Sequence, residues 1–156
     1  MTIWSPMAFG KHKGKALPQI LFADPDWFFW AWDESVFDRN KHLKEQATRI
    51  HKRATSIKVS SDGSKQVEYL LHPSGTGLAV VDIIPSSKPA HVGSSPSYRK
   101  DRIDLSFARK IVNYDKLGSR IAVATVKEHF FGSSSARATK RRCENFFNNP
   151  QNFLSP

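Results

Sequence analysis

The stretch Asp24-Pro25-Asp26-Trp27-Phe28-Phe29-Trp30-Ala31-Trp32 decides how the N-terminal part of this chain must fold. Asp followed by Pro is typical of a helix start, with Asp24 as N-cap and Pro25 at the first helical position. The pattern predicts a helix that runs to about Ser35. Because aromatic side chains would lie on every side of it, we expect a largely buried helix, in which one exposed ring would suffice to stack on a base.

A glycine-bounded turn precedes this helix. Gly10 and Gly14 bracket a short basic stretch, which predicts a tight turn or short hairpin that presents the side chains at its tip. Pro18 favours a short helical turn over Leu17–Phe22. Backbone N–H groups at the glycines could bind phosphates, and solvated lysines on a purely structural hairpin are an equal alternative. The side chains available to phosphates would be Lys11, His12, Lys13 and Lys15.

A basic helix is predicted next, over roughly Asp38–Ala54. Its apolar residues form one narrow stripe with steps of four, three and four: Leu43, Ala47, Ile50 and Ala54. A stripe this thin does not suit a membrane-seeking helix, so we expect no membrane partner. The rest of its surface is largely covered by Lys41, Lys44, Arg49, Lys52 and Arg53.

The middle of the chain predicts an antiparallel β-meander. Short alternating apolar runs flank Asp62-Gly63, which is a strong hairpin signal. The run Leu78–Ile84, apolar except for Asp82, suits a central strand, and Pro85 ends it. The Ser- and Pro-rich segment Ser86–Ser97 is long for a compact domain, which indicates flexibility or a binding loop.

The last third predicts helices. Periodicity does not decide whether Ile103–Val112 is a strand or a helix. From Gly118 onward we expect a helix with Ser119 as cap and Gly132 as stop. Thr139 should cap a last helix, Lys140–Asn148, with an inward face of Cys143, Phe146 and Phe147, and the two helices have the outline of a helix–turn–helix.

These elements predict an α+β fold: a short N-terminal hairpin and helices, the central meander, and C-terminal helices. We divide the chain into a module at residues 1–55 and an α+β part with a C-terminal helical pair at 56–156.

Charge points to the partner. The chain has 156 residues and a formal net charge of +10, which favours a polyanion such as nucleic acid. Seven bases and one acid lie in Arg39–Lys58, and a second basic group is Arg137-Ala-Thr-Lys-Arg-Arg142. We expect these two groups to form one extended positive surface.

The four acids Asp24, Asp26, Asp33 and Glu34 are interpreted as helix-capping or solvated.

The cysteine content and the N-terminal sequence predict the cellular compartment. Cys143 is the single cysteine, which excludes an internal disulfide and suits a reducing cytoplasm. Met1–Gly10 lacks the pattern of a secretory signal, and no apolar stretch approaches the length of a membrane span. We therefore expect a cytoplasmic protein.

The N-terminal motifs carry a family resemblance. Phe9-Gly10-Lys11-His12-Lys13-Gly14-Lys15, followed by Leu17, Ile20, Asp24-Pro25, Trp27 and Trp30, resembles the small C-terminal domain of exodeoxyribonuclease X-like proteins. The resemblance covers about Phe9–Trp32, and Trp27 stands where that family tends to have Tyr. It identifies residues 1–55 as the related module and implies an accessory role on nucleic-acid-processing proteins, without the nuclease itself.

Catalytic and metal motifs are absent from the sequence. The six histidines show no metal-ligand spacing, and no Asp-x-Glu strand of a two-metal nuclease is visible. There is no Gly-x-Ser-x-Gly elbow, although a scattered hydrolase triad stays a third hypothesis. Cys143 is interpreted as an inert core residue. We therefore expect no catalytic residue, no metal and no cofactor.

These observations favour a non-catalytic nucleic-acid-binding accessory or regulatory protein whose partner is DNA rather than RNA. The alternative is a protein–protein adaptor or inhibitor of phage or mobile-element origin, whose basic faces meet an acidic protein. The predicted nucleic-acid contacts are Lys11, His12, Lys13, Lys15, Lys41, Lys44, Lys52, Arg53, Lys140, Arg141 and Arg142.

Overall fold

The computed structural model describes residues 2–112 and 115–154, so residues 1, 113, 114, 155 and 156 of the two predicted units lie outside the described part. Within it the predicted α+β fold is confirmed: helices precede and follow a central set of antiparallel strands. The described helices are α1 (Leu17–Ala23), α2 (Pro25–Asp33), α3 (Lys41–Ala54), α4 (Phe107–Ile111), α5 (Lys116–Phe131) and α6 (Lys140–Asn148), with 3₁₀ turns at Val36–Arg39 and Pro150–Asn152.

The strands form two small antiparallel sheets. The described strands are β1 (Ile57–Lys58), β2 (Lys65–Leu71), β3 (Leu78–Pro85), β4 (Ser97–Lys100) and β5 (Arg102–Ile103). One sheet has the order β3-β2-β4 and the other pairs β1 with β5. The antiparallel pairing is as expected, but the order is not that of a meander, because β4 pairs with β2 and not with its sequence neighbour β3.

Two predictions about the strands are wrong. Asp62-Gly63 does not join a hairpin, because β1 pairs with β5 and the turn instead leads from one sheet to the other. The apolar strand β3 lies at the edge of its sheet, not at the centre. Helix α5 packs on this strand, and the Thr125 hydroxyl donates a hydrogen bond of 2.7 Å to the Val81 carbonyl. A strand can therefore be apolar because a helix covers it, and not only because it lies at the centre of a sheet.

The basic helix starts later than predicted but buries the expected stripe. α3 begins at Lys41 because the Asn40 side chain accepts a hydrogen bond from the Leu43 amide and caps it. The residues before the cap form a 3₁₀ turn, preceded by Ser35 with φ of 58°. The apolar stripe Leu43, Ala47, Ile50 and Ala54 is buried throughout, which confirms the predicted face.

The C-terminal helices keep most of their predicted ends. Gly132 ends α5 in the left-handed region, and the Thr139 hydroxyl caps α6, both as expected. The cap of α5 is Asp115 and not Ser119, which is fully buried inside the helix. The ambiguous segment Ile103–Val112 holds both structures, since β5 ends at Ile103 and α4 follows.

The helix–turn–helix outline is not formed. Residues 132–139 separate α5 from α6, whereas the motif joins its helices through a turn of about three or four residues. α6 packs mainly on α1, from the other end of the sequence. None of the helices in the described chain combines the length and the apolar character that crossing a bilayer requires.

One hydrophobic core extends across the boundary predicted at residue 55. It includes Leu17 and Phe28 from the first range and Val126 and Phe147 from the second. Polar contacts cross the boundary as well, since Trp4 Nε1 donates to the Asn148 side chain at 3.1 Å. The two ranges therefore stabilise each other.

The glycine turn generates a first prediction. Gly10 and Gly14 have φ of 82° and 90°, so a β-branched residue at either position is strained by about 1–2 kcal/mol. We expect Gly10→Val and Gly14→Val each to lower the free energy of unfolding by that amount, measured by urea denaturation.

Two controls accompany this prediction. Gly14→Asn should cost less than Gly14→Val, because Asn tolerates the left-handed region. Ala8→Val, at an exposed position outside that region, should stay within about 0.5 kcal/mol of the wild type. Equal losses for Val at 8 and 14 would contradict the backbone argument.

Candidate nucleic-acid interface

The basic turn is a closed loop built by backbone hydrogen bonds. The Met7 amide donates to the Lys15 carbonyl at 2.9 Å, and the Gly14 amide donates to the Met7 carbonyl at 2.8 Å. The chain enters and leaves through a bridge between Pro6 and Ala16. The two glycines accommodate the left-handed corners that this closure requires.

His12 does not present its ring to solvent, which corrects its assignment as a phosphate contact. Only 8% of the His12 surface is exposed, and Nε2 of the ring lies 3.1 Å from a carboxylate oxygen of Asp24. The ring also packs edge-on against Trp27, with centroids 4.8 Å apart. His12 therefore holds the turn onto α2, because a buried carboxylate requires hydrogen-bond donors.

Asp24 and Asp26 are also corrected, since neither is merely capping or solvated. Asp24 precedes α2, but its side chain makes no capping bond and instead accepts from Lys11 Nζ at 3.0 Å and from His12. Asp26 is buried and accepts from Arg109 Nη1 at 3.0 Å. Both acids join α2 to other segments.

This pairing lowers the pKa of Asp24. Burial alone would raise the pKa of the carboxyl, but hydrogen bonds from Lys11 and His12, together with the charge of Lys11, outweigh burial and lower it. The charged form is therefore the one that stabilises the fold.

Beside the turn, α2 exposes one large ring. Trp30 is 44% exposed, whereas Phe28 and Phe29 are buried, so the predicted burial of the aromatic helix is confirmed with this exception. The Trp30 ring lies 6.5 Å from that of Trp27, which contacts His12.

Lys13 and Lys15 are exposed on the basic turn and form no ion pair within the described residues. Lys11 differs, because its amine is bound to Asp24.

The first half of α3 is partly neutralised. Lys44 Nζ lies 2.9 Å from Asp38 and 4.2 Å from the centre of the Trp32 ring. Lys41 is exposed and has no acidic partner among residues 2–112 and 115–154. Of these two predicted contacts, Lys41 is therefore the one whose charge is available.

The second half of α3 lines a cleft that we call the basic cleft, of about 440 Å³. Arg49, Lys52 and Arg53 lie on its wall, and Phe153 and Leu154 close the opposite side. The Arg53 guanidinium donates to the Phe147 carbonyl and lies 5.3 Å from the centre of the Phe153 ring. Arg49 reaches the hydroxyl of Thr2, which leaves Lys52 as the base with no protein partner in the described chain.

The three bases of this cleft form no ion pair with a described acid, although the exposed Glu45 lines the same cleft. Burial lowers the pKa of Arg53, and the positive charge of Arg49 lowers it further. Arg49 also lines this cleft but is not in the predicted contact set. Arg49 lies three residues before Lys52 and four before Arg53, so the sequence alone places all three on one helix face.

The bases of α6 lie at its opposite end from this cleft. Lys140 and Arg141 are exposed and unpaired within the described part, while Arg142 lies 5.8 Å from the centre of the Phe131 ring. Arg53 donates to the carbonyl of Phe147 near the end of α6, and about 10 Å of helix separates Phe147 from Lys140.

Other chemistry finds little support in the described residues. They hold no group of three metal-ligating side chains. Cys143 is buried, as predicted, and burial raises the pKa of its thiol to about 12, so it is not a reactive thiolate. No protein-family model, curated protein or solved structure matches this chain.

The Asp24 pairing gives a second prediction. Asp24→Asn removes a buried charged acceptor and should lower the free energy of unfolding by about 1–3 kcal/mol at neutral pH. Because the folded pKa is below the ordinary value of 3.8, this contribution is present above that pH and is lost as the pH falls through the folded pKa. The difference between wild type and variant should therefore shrink in acid.

Urea denaturation at about pH 7 and about pH 3 measures this difference. Asp38→Asn is the matched control, because Asp38 forms an exposed ion pair with Lys44 and should cost less than about 1 kcal/mol. A loss for Asp24→Asn that does not change with pH would contradict the ionic role.

Proposed function

We propose that this protein binds nucleic acid without catalysing a reaction on it, as a cytoplasmic accessory or regulatory factor. The observation that carries the proposal is the basic cleft: three bases on one helix face, of which one is partly buried, with no carboxylate at ion-pair distance in the described chain. Crowded positive charge costs folding free energy, and a polyanion offsets that cost when it binds.

The shape of the cleft supports phosphate contacts. Arg49 and Lys52 line a wall that is open to solvent, and Thr48 adds a hydroxyl to it. Arginine and lysine donors aimed into one concave surface suit backbone phosphates, which carry charge without sequence information. Lys140 and Arg141 at the start of α6, and Lys13 and Lys15 on the turn, are further exposed bases that a strand longer than the cleft could contact.

The motif Phe9–Trp32 supports DNA rather than RNA as the partner, because the resemblance of this segment is to an accessory domain of deoxyribonucleases. The exposed ring of Trp30, 6.5 Å from the Trp27 ring that packs on His12, adds a surface on which a base could stack. These features lie in the half of the chain that also supplies α3.

Salt dependence tests the proposal. Fluorescence anisotropy with labelled 20-nucleotide strands and duplexes should show affinity that falls steeply from about 50 mM to about 200 mM salt. Lys52→Ala should weaken binding to all sequences alike and reduce the salt slope by about one. Arg120→Ala is the matched control, since Arg120 is exposed and unpaired in the described residues but lies on α5, outside the cleft.

A charge reversal separates the nucleic-acid hypothesis from the adaptor hypothesis. Lys140→Glu with Arg141→Glu should weaken binding at low salt and flatten its salt dependence, while the thermal midpoint stays near that of the wild type, because both side chains are exposed. Lack of binding by the wild type at about 50 mM salt would overturn the proposal. Loss of a nuclease-resistant protein partner in the double variant would then favour the adaptor.

A further inference from the structure

A second cleft, which we call the amide groove, lies between the end of α5 and α6. It has a volume of about 440 Å³, within the range of small-ligand sites, and its wall includes Phe130, Phe131, Arg142 and Asn145. Asn149 and Asn152 complete it from the C-terminal turn. Aromatic rings, amides and one guanidinium are the side chains with which proteins hold unpaired bases.

The aromatic wall is rigidly supported. Phe146 lies beneath both rings, with its centroid 4.9 Å from Phe130 and 6.3 Å from Phe131, edge-on in each case. Phe131 also packs on Phe22 at 5.3 Å. The half-buried rings are thus anchored by the core and keep part of their surface in the groove, where Arg142 lies over Phe131. Such fixed rings stack on a base with little loss of side-chain entropy.

The amides are oriented and only partly used. Asn149 Oδ1 accepts a hydrogen bond of 3.0 Å from the backbone N–H of Gln151, and Asn152 Nδ2 donates to the backbone carbonyl of Phe146 at 2.9 Å. These bonds leave Asn149 Nδ2 as a donor and Asn152 Oδ1 as an acceptor, each without a partner in the described chain. Asn145 is exposed and makes no side-chain hydrogen bond there. A donor and an acceptor that line the same groove are the groups with which the edge of a base forms hydrogen bonds.

The groove adjoins the basic cleft. The 3₁₀ turn Pro150–Asn152 lies between the two, with Pro150 lining the cleft and Asn152 lining the groove. A strand whose phosphates contact Arg49 and Lys52 could therefore continue across this turn and place a base against Phe130. Paired bases in a duplex cannot enter such a groove without being extruded.

We propose that the amide groove holds an unpaired nucleobase, so that the protein prefers single-stranded to double-stranded nucleic acid. This proposal rests on the proposed function, to which it adds the class of ligand and a place where bases are distinguished. Phosphates bound in the basic cleft supply affinity, and the groove supplies selectivity.

Neutral substitutions in the groove test the proposal. Asn145→Ala should weaken binding of the preferred homopolymer by at least about 5-fold, which is the lower limit for one specific base contact. Phe130→Leu should weaken all homopolymers by a similar factor through lost stacking. Neither variant removes a charge, so the salt slope should stay that of the wild type, in contrast to Lys52→Ala.

The measurement is fluorescence anisotropy with homopolymers of A, C, G and T or U, made as DNA and as RNA, and with one duplex. The DNA and RNA arms distinguish which sugar the strand carries when its base occupies the groove, and either strand meets the proposal. Gln151→Ala is the matched control, because Gln151 is an exposed amide on the same turn that does not line the groove. Its affinities should equal those of the wild type.

Separate results overturn the two proposals. Salt-dependent binding that is as tight for duplex as for single strands, or that is unchanged by Asn145→Ala and Phe130→Leu, would overturn the groove and leave the proposed function standing. Absence of binding by the wild type to every oligonucleotide would overturn both. Should Phe130→Leu fail to fold, Asn145→Ala decides alone, since its side chain is exposed and carries no structural bond in the described residues.

Discussion

The aromatic contact between α1 and α6 is the interaction on which both clefts depend. Phe22 of α1 packs on Phe146 and Phe147 of α6 at 5.4 Å and 5.9 Å, and on Phe131 at the end of α5. Phe153 stacks on Phe147 from the C-terminal turn at 5.8 Å. Loss of one ring would shift both the Phe153 side of the basic cleft and the Phe131 wall of the amide groove, because close-packed rings transmit displacement.

Charge in this protein is divided between two roles. The buried acids Asp24, Asp26, Glu68 and Asp104 each have a basic partner, as Glu68 shows with Arg99 at 2.8 Å. A buried carboxylate without donors would be costly, so these pairs are a condition of the fold. These pairs occupy four of the 14 acids, whereas bases of α3, α6 and the basic turn, such as Lys52, Lys140 and Lys13, form no ion pair with a described acid. Part of the net charge of +10 is therefore concentrated at positions without a counter-ion among the described residues.

Much of the local structure was predictable, because its causes lie within a few residues of one another. The caps at Thr139 and Gly132, the positive φ region at Gly10 and Gly14, and the apolar stripe of α3 follow from capping chemistry, glycine geometry and helical periodicity. Predicted positions failed where two local options compete. Asp115 caps α5 in place of Ser119, and Asn40 starts α3 after Asp38, since either residue type is an acceptable cap.

The sequence by itself determined the helices other than α4, the turn, the antiparallel character of the strands and the excess of positive charge. Only the tertiary structure decided that β1 pairs with β5, that His12 is buried on Asp24, and that Phe130, Asn145 and Asn152 face one groove. Periodicity and capping act over one or two helical turns, so they specify elements without specifying neighbours. Pairing and burial depend on which elements meet across the core, and that choice is made by the packing of the whole chain.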